Sequence, residues 1–280
     1  MIIVHKYGGS SVATTDKIIE IAKYLGEVKD QGHDVIVVVS AMGKRTDALI
    51  SLAKEITKDP DKRELDRLMS TGEQTTIALL AIALKSLGYD AISLTGVQAG
   101  IKTSGFHTKN VIDSVDNNKI NDLLKEGKIV IVAGFQGVNS RGDVTTLGRG
   151  GSDTSAVALA AALDARCEIY TDVDGIYSID PRVYKEAKKL PLISYDEMME
   201  LAYLGAGVME PRAVELGKKY GVEIYVGKSL GEKNGTIICA EEKCMEKKLI
   251  EFKNIVKEFD GKLVLKGVSL DIYENEIGRA

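Results

Sequence analysis

Cysteine is scarce: Cys167, Cys239 and Cys244 are the three, and no two stand at a C-x-x-C spacing. An odd count without paired spacing argues against a disulfide framework and fits reduced thiols, the state that a cytoplasm maintains. Histidine is equally sparse. His5, His33 and His107 lie at no metal-ligand spacing, so no metal site is expected and each reads as an ordinary polar or boundary residue. There is no basic excess either: a net charge of -4 over 280 residues removes the footprint that nucleic-acid binding needs and favours small-molecule partners. No apolar run approaches bilayer length, and the N-terminal MIIVHKYGGS has neither the basic region nor the long apolar region of a signal peptide. The expectation is a soluble cytoplasmic protein with no membrane partner.

Familiar nucleotide signatures are missing as well. Gly43-Lys44-Arg45-Thr46 has the Gly-Lys pair of a P-loop, but the earlier glycine is absent and Arg45 displaces the hydroxyl residue. No G-x-G-x-x-G follows the first apolar run, and the protein-kinase signatures are absent.

What is present is an alternation of short β-branched runs with helical stretches. Strands are expected at Ile2–Tyr7, Asp34–Ser40, Ala91–Leu94, Lys128–Ala133, Glu168–Thr171 and Val222–Val226, with helices at Asp16–Lys29 and Thr46–Lys58. VIVVV (35–39) and IVIVA (129–133) are apolar without alternation, as in strands covered on both faces, so the class is α/β on a largely parallel sheet. GVNSRGDVTT (137–146) reads as a small hairpin. Residues 62–88 carry helical spacing interrupted at Ser70–Glu73, which fits one long helix with an irregular interior or two helices. Met198, Met199 and Leu201 read as core.

Four stretches carry chemistry. In GRGGSDTSAVALAAAL (148–163), glycines would let a phosphate or carboxylate approach backbone N–H groups at a helix start, and Arg149 offers a bidentate fork. Asp153 suits either an N-cap or the ammonium of an amino-acid substrate, so a structural turn and cap explain these residues as readily as a ligand site. KYGGSS (6–11) places Lys6 to neutralise a transferring phosphoryl group, with donors from Gly8, Gly9 and Ser10; a tight turn with an exposed lysine is the plainer alternative. SAMGKRTD (40–47) also follows a strand, at the end where open α/β sheets bind ligands. YTDVDGIYSIDPR (170–182) packs three aspartates, two tyrosines and an arginine into a turn-rich loop, which beside the glycine turns reads as a nucleotide pocket.

Taken in order, HKYGGSSV, VVSAMGKRTD, STGE, GRGGSDTSA, YTDVDGIYSIDPR and AYLGAGVMEPRAVE resemble the aspartate kinase catalytic domain of the amino acid kinase superfamily, over roughly residues 1–240. The resemblance implies a three-layer α/β fold with an open, mainly parallel eight-stranded sheet between helices. It also implies transfer of the ATP γ-phosphoryl to the β-carboxylate of L-aspartate, with Mg²⁺ held mainly through the ATP phosphates.

By motif, Lys6 and Asp153 take catalytic roles. Ser40, Thr46, Glu73, Arg149, Gly151 and Ser152 fall on the aspartate side. Lys6, Gly8, Gly9, Ser10, Thr171, Asp172, Tyr177 and Arg182 fall on the nucleotide side. The aspartate-binding part is expected at about 1–150 and the ATP-binding part at about 151–240, with a homodimer through this domain. Another amino acid kinase, or a non-catalytic chain that binds nucleotide or aspartate, are the competing readings.

The sequence departs from the family pattern at two places. Where relatives carry lysine and histidine in a GAKVLHP stretch, this chain reads GAGVMEP, with Gly207 and Glu210. The lysine's nucleotide contact is lost, and Glu210 is expected to alter only a helix start. The resemblance also implies regulatory ACT domains after the catalytic domain. Residues 241–280 instead contain LIEFKNIVKEFDGKLVLKGVSLDIYENE (249–276), which resembles the opening β-hairpin of ABC-transporter ATPase subunits, with its turn at Asp260-Gly261. It stops before any phosphate loop. No ABC ATPase activity and no inhibition by lysine or threonine are therefore expected, and a truncated or fused reading frame is favoured over a designed second module; the plainer alternative is a family-unrelated C-terminal hairpin that covers a sheet edge.

Overall fold

Val35–Val39 and Ile129–Ala133 leave no side of their strands for water, and all ten residues are fully buried. Such strands need a layer of helices on each face. In the computed structural model, which describes residues 1–148, 150–205, 207–231, 233–241 and, as backbone, 248–259 and 262–273, they receive both.

The chain runs β1 (Ile2–Tyr7), α1 (Thr15–Asp30), β2 (Asp34–Val39), α2 (Arg45–Ile56), α3 (Lys62–Ser86), β3 (Ala91–Leu94), β4 (Ile101–Phe106), β5 (Lys109–Val115), α4 (Asn118–Lys125), β6 (Ile129–Ala133), β7 (Gln136–Val138) and β8 (Val144–Thr146). It continues through α5 (Gly151–Leu163), β9 (Arg166–Thr171), β10 (Ile176–Tyr177), β11 (Lys189–Leu190), β12 (Leu192–Ser194), α6 (Tyr195–Tyr203), α7 (Pro211–Tyr220), β13 (Ile224–Lys228) and β14 (Thr236–Cys239). Then come β15 (Lys248–Phe259) and β16 (Lys262–Tyr273), which pair antiparallel with each other.

The main sheet has eight strands in the order β12-β14-β13-β9-β1-β2-β6-β3. Its pairings are parallel except β13 with β14, so the expected architecture is present. One core lies between the sheet and α4, α5, α6 and α7, and includes Val4, Ile36, Val38, Val132, Leu159, Met198 and Val214. The other lies between the sheet and α1 and α3, and includes Tyr7, Ile21, Leu25, Val37, Ile131, Leu80 and Leu84. Among the described residues, no helix is long and apolar enough to cross a membrane.

The expected hairpin near residues 137–146 forms as β7–β8, with Gln136 opposite Thr146. It belongs to a second sheet, β5-β4-β7-β8, whose β4–β5 hairpin the sequence did not announce. The helix through Ser70–Glu73 is continuous, so α3 is one element of 25 residues. The proposed hairpin turn at Asp260-Gly261, like Cys244, lies outside the described residues.

Strand alternation sends Lys6 towards α5 and His5 and Tyr7 towards α1. His5 is therefore no boundary residue: it is fully buried, stacked on Tyr170 at 5.8 Å, edge-on to Tyr24, with Nδ1 3.5 Å from Glu168 Oε2. Burial disfavours its charged form more than Glu168 favours it, which lowers its pKa to about 4.

The unfolded chain, with histidine near 6.5, binds the proton that the folded one refuses, so this contribution is present above pH 6.5 and fades as pH falls towards 4. In urea titrations, His5→Leu should lose less stability than the wild type between pH 7 and 4.5, by about 2 kcal/mol. Identical pH dependence in the two proteins would refute the assignment.

Candidate active site

Lys6 lies near the end of the central strand, between Val38 of β2 and Ile169 of β9. Its Nζ sits 2.5 Å from Asp153 Oδ1, and both side chains are about nine-tenths buried. The plain alternative of an exposed lysine is thereby excluded. Asp153 occupies the first turn of α5, so the pair fastens the strand end to the helix start.

Two backbone features make room for this pair. After Lys6 the chain turns at Gly8, whose N–H donates to Tyr170 O at 3.3 Å and whose O accepts from Ser11 N at 3.0 Å. A Cβ on Gly9 would stand 2.9 Å from Ala41 O and 3.0 Å from Gly43 O, so only glycine permits this approach of the two loops. At α5, Gly148 and Gly150 take φ of 81° and 64°, the left-handed region that glycine adopts without strain. The turn delivers the helix N-terminus, with its partial positive charge, beside Lys6. Ser152 and Ser40 meet through their hydroxyls at 2.7 Å, joining α5 to the end of β2.

Glu73 reaches the same place from α3. Its Oε1 accepts the Ala41 N–H at 3.1 Å, while Oε2 is buried and has no hydrogen-bond partner among the described residues. Burial raises its pKa to about 7, against the lowering effect of backbone hydrogen bonds. Gly72 allows the approach, since a Cβ there would lie 2.8 Å from Ala41 Cβ.

The structure thus brings Lys6, Gly8, Gly9, Ser40, Glu73, Gly151, Ser152 and Asp153 together. Thr46 lies half-buried in the first turn of α2, and Ser10 is exposed in the loop after Gly9. Arg149 falls outside the described residues. Of the nucleotide candidates, Thr171 ends β9 next to β1 and its hydroxyl donates to Asp172 Oδ1 at 2.9 Å. Tyr177 donates instead to Asp174 at 3.0 Å, and exposed Arg182 forks onto Asp180 at 2.8–3.2 Å. These two face their own loop, where the Arg182 fork holds the Asp180 pKa low and Asp180 in turn holds the Arg182 pKa high.

Glu210 does more than alter a helix start. It is the N-cap of α7, and its carboxylate packs on Gly150 so closely that a Cβ there would lie 2.5 Å from Oε2. Burial, and then the Asp153 charge, raises its pKa against the effect of Arg212. Nothing in the local sequence signals this contact, which joins residues far apart along the chain. At Gly207 a Cβ would meet no atom of the described residues within 4 Å, so the first atom of a side chain would find open space there.

Comparison with known proteins places this geometry in context. The model of the amino acid kinase family matches residues 1–228. The chain is 56% identical over 250 residues to aspartokinase 2 of Bacillus subtilis, covering 89% of this chain and 61% of that protein. It therefore spans about three fifths of the length of such curated relatives. Among solved structures it superposes on the aspartate kinase of Synechocystis with a TM-score of 0.77 at 48% identity, over 86% of this chain and 40% of that one. With E. coli aspartokinase III, solved in complex with aspartate and ADP, the TM-score is 0.76 at 28% identity, over 86% and 65%.

The buried ion pair generates a stability test. Lys6→Met strands the Asp153 carboxylate in a poorly hydrated position and should destabilise the fold by about 3–5 kcal/mol in urea unfolding. Lys6→Met/Asp153→Leu, which removes both charges, should recover at least about half of that loss. A double variant no more stable than the single one would show that the pair does not anchor the helix start.

Proposed function

The chain belongs to the amino acid kinase family, and from that premise we propose that it is an aspartate kinase. It transfers the γ-phosphoryl of Mg-ATP to the β-carboxylate of L-aspartate, giving 4-phospho-L-aspartate and ADP, the first step of lysine, threonine and methionine biosynthesis. The observation that carries this reading is Glu73: one carboxylate oxygen is held by the Ala41 N–H, next to the Ser40 that bonds Ser152 of α5, and the other is a buried acceptor with no partner among the described residues. An acceptor so placed suits a substrate ammonium group.

In this reading the β-carboxylate oxygen attacks the γ-phosphorus as the bond to the β-phosphate oxygen breaks and ADP leaves. The attacking carboxylate is already ionised, so no strong base is required, and positioning and charge neutralisation do the work. Lys6 moves its charge from Asp153 towards the phosphoryl oxygens, with Gly8, Gly9, Ser10 and the α5 N-terminus supplying donors. Asp153 holds Lys6 in place and faces the ammonium side with Glu73. Arg149 takes the α-carboxylate, while Ser40, Thr46, Gly151 and Ser152 line the aspartate side.

Thr171, Asp172, Tyr177 and Arg182 contact the nucleotide, the last two after leaving Asp174 and Asp180. Magnesium arrives with ATP and is held mainly by its phosphates. The proposal assigns residues 1–240 to the catalytic domain, with the aspartate side in about 1–150 and the ATP side in about 151–240. Residues 241–280 form a tail, and the β15–β16 pairing supports its reading as a hairpin. A cytoplasmic homodimer joined through the catalytic domain completes the proposal.

The direct test measures ADP release from Mg-ATP with and without L-aspartate, in hydroxylamine that traps the acyl phosphate as hydroxamate. Aspartate-dependent hydroxamate is expected; folded protein that gives none sinks the proposal. A second test uses pH. Because ionised Glu73 is the binding form, kcat/KM for aspartate should rise with pH and level off above about 7. Glu73→Gln should lower it by roughly 10- to 100-fold and remove that limb. A limb that survives in the variant would assign the titration to another group.

A further inference from the structure

Asp66 lies on α3, fully buried and outside the set of residues that face the substrates. Its carboxylate accepts the Thr108 N–H through both oxygens at 3.0 and 3.1 Å, has His107 Nδ1 2.6 Å from Oδ2, and accepts the Thr146 hydroxyl on Oδ1. Three donors from two other elements thus converge on one helix side chain.

The partners identify what is being held. His107 and Thr108 form the tip of the β4–β5 hairpin, and Thr108 has φ of 72°, a conformation that a β-branched residue rarely adopts. Its carbonyl oxygen lies over Gly148, 3.4 Å from where a Cβ would be. Thr146 ends β8, two residues before Gly148. Between them Leu147 is held by its own N–H to Phe135 O at 3.0 Å and by Arg212 Nη1 to its carbonyl at 3.3 Å. The segment 146–148 leads directly into Arg149 and the α5 turn. Asp66 and Glu73 are seven residues apart on one continuous helix, hence two turns apart on the same face.

We propose that Asp66 is a positioning residue for the acidic substrate: through Thr108 and Thr146 it fixes residues 146–148, the strand end that precedes Arg149 in the chain, against the helix that carries Glu73. The inference rests on the aspartate kinase reading for its kinetic consequence. Loss of the clamp lets the α-carboxylate side drift relative to the ammonium side, while Gly8, Gly9 and Thr171, held by β1 and β9, keep the nucleotide side unchanged.

The test compares wild type, Asp66→Asn, Thr146→Val and Asp66→Asn/Thr108→Gly by steady-state kinetics, with folding checked by circular dichroism. Asp66→Asn should raise KM for aspartate on the order of tenfold or more and leave KM for ATP within about twofold. The double variant should recover part of the loss, because glycine takes φ of 72° without help. Equal effects on both KM values, or no effect on either, would overturn the proposal. Should Asp66→Asn fail to fold, Thr146→Val removes one donor only and should still raise KM for aspartate by about threefold; an unchanged KM counts against the clamp.

Hydrogen exchange reads the positioning without turnover. Amides of residues 146–148 should exchange faster in Asp66→Asn, or in Thr146→Val where that variant alone folds, and unchanged exchange refutes the clamp. A wild type that makes no aspartate-dependent product would instead refute the kinase reading, and the exchange result would still decide the role of Asp66.

Discussion

The ion pair between Lys6 and Asp153 is the constraint around which the site is assembled. Two charges taken out of water are costly, and their attraction repays that cost only when both groups are held in good geometry. The parallel register of β1 between β2 and β9 fixes one partner, and the glycine turn into α5 fixes the other. Each further contact in the site, from the Ser40–Ser152 hydroxyl pair to the meeting of the Gly9 and Gly43 loops, extends this junction sideways. A cation prepared in this way can serve phosphoryl transfer without reorganising the strand that bears it.

Much of this architecture is legible in the sequence for simple reasons. Unbroken apolar runs such as VIVVV have one stable placement, the interior of a parallel sheet, and glycine turns at strand ends advertise themselves. The β4–β5 hairpin is different. IKTSGF (101–106) has mixed polarity and exposed side chains, so no periodicity marks it. Ser70–Glu73 misleads in the opposite sense, since serine, threonine and glycine suggest a break. In the fold, the Ser70 and Thr71 hydroxyls donate to the carbonyls of Arg67 and Leu68, and Gly72 lets the helix pass close to Ala41. The apparent breakers serve a continuous helix.

The site divides along the same line. Residues on the glycine-rich and charged motifs are readable because their types announce their chemistry. Asp66 and Glu210 were not, because their importance arises from what folding places against them: Thr108 and Thr146 for one, Gly150 for the other. His5 adds a converse case. An isolated polar residue in an apolar strand reads as a boundary residue, yet its alternation with Lys6 determines that it is buried on the opposite face against Tyr170.

The central place of β1 also bears on how the chain is made. One edge of this strand can pair with β2 soon after synthesis, but the other waits for β9, which follows β2 by residues 40 to 171. At about 5–20 residues per second that interval is roughly 7–26 s. Throughout it, the nascent sheet presents an apolar, hydrogen-bond-hungry edge at what will become its middle. Ribosome-bound chaperones capable of covering a β edge would find their substrate there, and slow translation between β2 and β9 would lengthen the exposure to unwanted strand pairing.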